Sequence, residues 1–191
     1  MTGRTHDLAA FTALTYTVAT QPLQEMSLAT AIVAFSANMI GGLAPDIDQP
    51  TGALWNRVRG GKIASRFITP FLGGHRFISH SILGIFLFGF VVGKFLEVSS
   101  SVLIVEMDVV WWAFMIGFVS HLVMDTFNKE GVPWLFPIPI RIGIPPLKFF
   151  RLKTGGLLEK SFVFPALLMA NIYMYFIHYS KILDFLRNYI K

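Results

Sequence analysis

Four long apolar runs set the limits on this chain: Ser27 to Leu43, Ser81 to Leu96, Val109 to Met124 and Phe162 to Tyr179. Each approaches the roughly 20 residues that cross a bilayer core as a helix. Lys94 is the one charge in the second run. Trp111 and Trp112 sit near the start of the third, and Tyr173, Tyr175 and Tyr179 lie towards the end of the fourth, where interfacial aromatics belong. A fifth run, Leu8 to Ala19, is short and rich in Thr, so spanning, tilting and half-insertion all stay open for it. The pattern predicts an all-α, polytopic integral membrane protein with four to five transmembrane helices. It predicts a single membrane-embedded domain over residues 1–191, with spans at about 8–20, 27–43, 81–96, 109–124 and 162–179. Composition agrees. Hydrophobic residues are 54% of the chain and charged ones 14%, against about 25% charged in soluble domains. One soluble core of this size could not bury that much apolar surface.

Net charge is +5, but the placement of the bases says more than the total. Arg57, Arg59, Lys62, Arg66 and Arg76 fall in one loop. Lys129, Arg141, Lys148, Arg151, Lys153 and Lys160 fall in another. The connection between them, ending in Glu106 and Asp108, is acidic. The positive-inside rule then puts both basic loops in the cytoplasm and the acidic one outside. Lys181, Arg187 and Lys191 in the tail run against that rule, and the tail's alternation suggests an amphipathic surface helix. The N-terminal run lacks a small-x-small cleavage site and is expected to be retained. The stretch 131–147 is apolar but rich in proline, which prevents a helix there and suggests a segment that packs over a cavity or lies re-entrant.

Ionisable groups are costly near hydrocarbon, so the few that flank the runs carry the information. They are His6 before the 8–20 span, Asp46 and Asp48 after the 27–43 span, His75 and His80 before the 81–96 span, and His121 and Asp125 at the end of the 109–124 span. With five spans, all seven fall at one membrane face. His121 and Asp125 stand at i, i+4 and share a helix face. Asp46 and Asp48, two apart after Pro45, would point the same way if extended. One could then ligate a metal while the other orients a histidine. Ser79 is a candidate cap that would leave His80 in the first turn of a helix. The chain has no cysteine, so a metal here needs nitrogen and oxygen donors. Those suit zinc, manganese or iron, and such a site can support hydrolysis. Each residue also has a plainer reading: helix cap, solvated turn or interfacial side chain. Arg76 could bind a phosphate bidentately or simply anchor the loop. Ser81, Glu159 and Asn128 are lesser candidates, Asn128 as an orienting partner of Asp125.

In order along the chain the motifs are Thr5-His6, Leu43-Ala44-Pro45-Asp46-Ile47-Asp48, His75-Arg76-Phe77-Ile78-Ser79-His80-Ser81 and Ser120-His121-Leu122-Val123-Met124-Asp125. Gly131-Val132-Pro133 and Leu135-Phe136-Pro137 follow. Over about residues 5–160 this set resembles the YdjM-like family of predicted membrane-bound, metal-dependent hydrolases. That family is thought to be distantly similar to zinc-dependent phospholipases C and single-strand nucleases. The resemblance implies that His6, Asp48, His80, His121 and Asp125 are metal ligands, with His75 a further candidate. The chain lacks a downstream His-x-x-x-Glu and offers Glu159 alone, which implies one or two ions rather than three. It also has Gln49 where the family often has histidine after Pro-Asp-Ile-Asp.

These readings converge on a membrane-bound hydrolase with a divalent metal, most simply zinc. Its expected substrate is a phosphoester in an anionic or phosphorylated membrane lipid or lipid-linked molecule. Asp46 and Arg76 are the expected catalytic residues. The expected location is the inner membrane, with the metal site facing the cytoplasm and no nucleic-acid partner. The rivals are a non-catalytic membrane adaptor with a structural metal, and a transporter.

Overall fold

The computed structural model describes residues 1–21, 25–57, 59, 61–68, 77–138, 140–185 and 187. The main helices are α1 (Gly3–Thr20), α2 (Leu28–Gly41), α5 (Ile82–Ser99), α6 (Met107–Thr126) and α7 (Phe164–Ile177). Between α2 and α5 lie a 3-10 turn, Ala44–Asp48, and two short helices, α3 (Ala53–Arg57) and α4 (Gly61–Ile68). A π-helical turn, Glu159–Val163, leads into α7, and α8 (Tyr179–Asp184) follows it. Among the described residues there is no strand, and two isolated bridges, Asn128 with Leu152 and Val132 with Ile142, are the nearest approach to one.

The protein is all-α, and three of its helices are long and apolar enough to cross a membrane: Ile82–Ser99, Met107–Thr126 and Glu159–Ile177. They coincide with three of the expected spans. The run at 27–43 forms only the 14-residue α2, about 21 Å long at 1.5 Å per residue. The run at 8–20 extends back to Gly3, because nothing in Gly3-Arg4-Thr5-His6 breaks a helix. His6 therefore lies on the first turns of α1 rather than ahead of it. The outer surface is apolar: Phe86, Phe90 and Phe95 of α5 and Met169, Tyr173 and Phe176 of α7 are all exposed. The interior holds His6, Asn38, Asp48, His80, His121, Asp125, Asn128 and Glu159, each almost fully buried. That inversion of the soluble pattern fits a protein whose solvent is lipid.

Helix α6 is central and packs on α2, α1 and α5, while α7 packs on α1. Small residues make the α2–α6 seam. A Cβ on Gly41 would stand 2.1 Å from the Phe114 carbonyl oxygen, and one on Gly117 would stand 2.1 Å from the Asn38 carbonyl oxygen. Buried Asn38 spends its amide on the Ala113 carbonyl across the seam, at 3.0 Å. Such close backbone approach through small residues is how helices associate without a hydrophobic drive between them.

The proline-rich stretch is non-helical, as its composition requires, and packs across the ends of α5 and α6. Val132 and Ile142 exchange backbone hydrogen bonds at 2.8 and 2.9 Å, and Ile82 N–H donates to the Trp134 carbonyl at 3.0 Å. Trp134 Nε1 donates to Thr126 Oγ1 at 3.0 Å, and Val132 joins Ala44, Phe118 and Leu122 in the core. The tail has a definite contact too. Lys181 Nζ donates to the carbonyls of Ala19 and Gln21, at 2.7 and 3.1 Å. This base therefore caps the C-terminal end of α1, a role that loop-charge counting does not see.

The seam yields a test. Gly117→Val forces α6 away from α2, at a cost of about 3 kcal/mol. It should lower the thermal unfolding midpoint of the detergent-solubilised protein by several degrees. Gly93→Ala, whose new Cβ meets Trp111 at 3.6 Å, should leave the midpoint within a degree or so.

Candidate metal centre

Five of the flanking residues converge at one end of the bundle. His6 arrives from α1, Asp46 from the 3-10 turn after α2, His80 from just before α5, and His121 and Asp125 from the last turns of α6. Two triplets have ligand atoms that all lie within 4.8 Å of one another: His6, His121 and Asp125, and Asp46, His80 and His121. His6 Nε2 stands 3.3 Å from Asp125 Oδ1, and its ring stacks on His121 with centroids 3.7 Å apart and planes 9° apart. Asp46 Oδ1 lies 3.7 Å from His80 Nε2 and 3.6 Å from His121 Nε2. Asp125 Oδ2 lies 3.7 Å from His80 Nε2 and 3.8 Å from His121 Nε2.

A surrounding layer of hydrogen bonds aims these groups. His121 Nδ1–H donates to the Gly42 carbonyl at 2.7 Å, which leaves the Nε2 lone pair pointing into the cluster. His80 Nδ1 lies 2.9 Å from Ser79 Oγ and 3.4 Å from Asp48 Oδ2, and Ser79 Oγ donates to that same oxygen at 2.5 Å. Asn128 donates from Nδ2 to Asp125 Oδ1, and the Met1 amine contacts that oxygen at 2.7 Å. An imidazole held by a carbonyl or carboxylate behind the ring, with its other nitrogen facing the cluster, is the usual outer arrangement of a metal-binding histidine.

The donor chemistry fits a divalent metal. Both ring nitrogens of His6 and the Nε2 of His121 are buried without a hydrogen-bond partner, and buried polar atoms left in that condition need an explanation. A cation satisfies them together with the adjacent carboxylates. Imidazole nitrogens and carboxylate oxygens are the donors that such a metal takes.

The structure places the sequence candidates unevenly. Asp46 and Asp48 do not point the same way, because residues 44–48 form a 3-10 turn rather than an extended segment. At three residues per turn, positions i and i+2 diverge. Asp46 accordingly falls in a triplet with the histidines, whereas Asp48 lies behind His80. Ser79 is not the cap of α5. Ser81 is, with its Oγ accepting from Gly84 N–H at 3.1 Å, so His80 precedes the helix and Ser79 is released to bridge Asp48 and His80. Glu159 is buried away from either triplet. It accepts from Thr2 N–H and Thr5 Oγ1 at Oε1 and from Gly155 N–H at Oε2, which ties α7 to the start of α1. His75 and Arg76 lie outside the described residues. Two participants had no sequence signal in these roles: the Gly42 carbonyl as an acceptor, and Ser79 as a bridge. The Gly41-Gly42 pair ending α2 was the available clue, since a Cβ on Gly42 would meet Ala10 Cβ at 2.8 Å.

The same arrangement can be compared with known proteins. A family model described as YdjM inner membrane protein matches residues 1–182. The chain belongs to the YdjM family. It is similar to the uncharacterized protein YvsG of Bacillus subtilis (strain 168), with 26% identity over 179 residues, covering 92% of this chain and 95% of that protein. No solved structure matches. The YdjM match spans all five converging residues, and the family name places such chains in the inner membrane.

Because Asp48 and Ser79 act behind His80, Asp48→Asn and Ser79→Ala should each weaken metal affinity about 10–100-fold without abolishing it. His121→Ala should remove binding altogether. Competition against a calibrated chelator checks this order, and an affinity unchanged in both outer variants would contradict it.

Proposed function

We propose that this YdjM-family protein is a membrane-embedded, metal-dependent hydrolase of a phosphoester in a lipid or lipid-linked substrate, working at the cytoplasmic face of the inner membrane. The observation that carries the reading is the gathering of three buried imidazoles and two carboxylates, in two triplets that share His121, at the end of the apolar helices. His6, His80, His121 and Asp125 hold the metal. His121 offers Nε2 only, so of two neighbouring ions it would serve one. Zinc suits the donor set, with one or two ions. A divalent metal in such a site supplies Lewis acidity and acidifies water. The chain's own residues do the rest. Asp46 is 14% exposed at its side chain while the other four are essentially closed, so it stands at the mouth. Its Oδ1 faces His80 and His121, and its second oxygen is left to take the proton of the attacking water. Asp48, through Ser79, holds the His80 ring in orientation. A mouth at the helix ends suits a substrate at headgroup depth, and the basic loops favour an anionic headgroup.

The near-complete burial of four of the five residues supports one alternative, a closed structural metal in a non-catalytic adaptor, since structural sites lack an open position. Turnover separates the two. Wild-type protein should hydrolyse a lipid phosphoester, lose that activity to a chelator and recover it with zinc or manganese. Asp46→Asn should keep its metal and lose about 10²-fold in rate. Full activity in Asp46→Asn would contradict its role, and an inactive wild type across anionic lipid phosphoesters would favour the adaptor.

The orientation has its own test, helped by the lack of native cysteine. In cells with permeabilised outer membranes, an impermeant maleimide should label Ser101→Cys at once and Lys129→Cys only after lysis. The reverse order would invert the topology.

A further inference from the structure

Val132 of the proline-rich stretch turns into the core, but Ile144, Leu147, Phe149 and Phe150 after it are exposed, Phe149 by 85% and Leu147 by 65%. They lie outside the spanning helices, so crossing the bilayer does not account for them. Three of the four sit in or beside one 3-10 turn, Lys148–Phe150, and the Phe149 and Phe150 rings meet edge to face at 5.5 Å. Exposed apolar clusters mark a contact with a protein or a membrane.

The ends of this loop fix its depth. Ile144 N–H donates to the Thr126 carbonyl and Leu152 N–H to the Phe127 carbonyl, both at 2.9 Å, and Lys129 N–H donates to the Leu152 carbonyl at 2.9 Å. Residues 144–152 therefore leave from and return to the end of α6, a helix apolar enough to span. The interfacial layer beyond each face of the hydrocarbon core is about 5–7 Å deep, within reach of one turn tied to a helix end on both sides. The patch also continues a lipid-facing surface, because Leu157, Leu158 and Phe162 at the start of the last span are exposed.

The backbone of the loop is built to leave water. Pro145 and Pro146 have no N–H, and Arg151 takes up their carbonyls, at 2.7 Å from Nε and 2.8 Å from Nη2. The Leu147 and Lys148 carbonyls accept from Phe150 and Arg151 N–H, at 3.1 and 3.3 Å. The guanidinium is seated on Gly143, where a Cβ would stand 2.3 Å from Nη1. Irregular backbone that meets lipid needs its polar groups satisfied within the protein. Charge points the same way: residues 141–153 hold Arg141, Lys148, Arg151 and Lys153 and no acid. Lys148 stands between Leu147 and Phe149, where its stem lies among apolar groups and its ammonium reaches the headgroups. Bases beside inserted aromatics are drawn to anionic lipid.

We propose that this loop docks on the anionic lipid surface at the metal-centre end of the helices, with Leu147, Phe149 and Phe150 inserted and Arg141, Lys148 and Lys153 among the headgroups. Arg151 is the latch that shapes it. The docking goes beyond the hydrolysis reading and does not depend on it.

The lack of native cysteine allows single labels. Full-length Phe149→Cys, Lys153→Cys and Phe90→Cys variants, each carrying acrylodan, are compared in nanodiscs of phosphatidylcholine with phosphatidylglycerol. Quenching by a lipid with a nitroxide near its headgroup is read beside the emission wavelength, and helical circular dichroism reports folding. Phe90, exposed on α5, sets the level for lipid contact. The label at 149 should emit at shorter wavelength than that at 153 and be quenched roughly twofold more or better. Pure phosphatidylcholine, or Arg141→Gln with Lys148→Gln, should lower that quenching, and Arg151→Gln should abolish it. Long-wavelength emission at 149 without lipid quenching would place the loop in water and overturn the docking. Short-wavelength emission without lipid quenching would mean a protein cover and overturn the lipid assignment. Equal quenching in both bilayers would overturn the part given to the bases. None of these readouts needs metal or turnover, so their failure is distinct from failure of the hydrolase reading.

Discussion

The hydrogen bond from His121 Nδ1 to the Gly42 carbonyl is the contact on which the site depends. A histidine buried in the last turns of a membrane helix must have its ring nitrogens satisfied or used. Gly42 satisfies one, and that leaves the other for a metal. The bond is possible only because α2 and α6 approach until backbone touches backbone, at Gly41 against Phe114 and Gly117 against Asn38. The same closeness brings the turn after α2 under the end of α6, which delivers Asp46 to His121. Helix packing and donor geometry are one constraint here.

Among the described residues the centre is assembled from helix ends and the turns between them. Each contributor is fixed from a different direction. Glu159 ties the start of α1 through Thr2 and Thr5, and so positions His6. Ser79 and Asp48 fix His80. Asn128 fixes Asp125, and the proline-rich stretch packs Val132 beneath Leu122. A centre held this way is rigid at little entropic cost, because backbone already ordered by the helices carries the donors.

Much of this was legible in the sequence. The apolar runs gave the helical, membrane-embedded class, and the scarcity of charge made His6, Asp46, His80, His121 and Asp125 stand out. Their convergence followed from counting helix directions. What stayed hidden was finer. The division of labour between Asp46 and Asp48 turns on a 3-10 rather than an extended conformation, which Pro45 alone does not decide. The choice between Ser79 and Ser81 as cap shifts one hydroxyl from a helix end to a carboxylate bridge, a difference of two residues that cap preferences cannot resolve. Glu159 reads as an interfacial acid until its three donors, 157 and 154 residues away in sequence and on the adjacent turn, are seen around it. Non-local contacts and backbone carbonyls leave no trace in composition or spacing.

The account stands or falls on the metal. X-ray absorption at the metal edge, recorded on protein purified from membranes without added metal, addresses it most directly. The account predicts one or two divalent ions per chain with nitrogen and oxygen neighbours, at about 2.0–2.1 Å for imidazole nitrogen if the ion is zinc, and outer-shell scattering from several imidazoles. It further predicts that a His80→Ala, His121→Ala double variant loses that signal. Protein that contains no metal, or that keeps the same spectrum in the double variant, would contradict it.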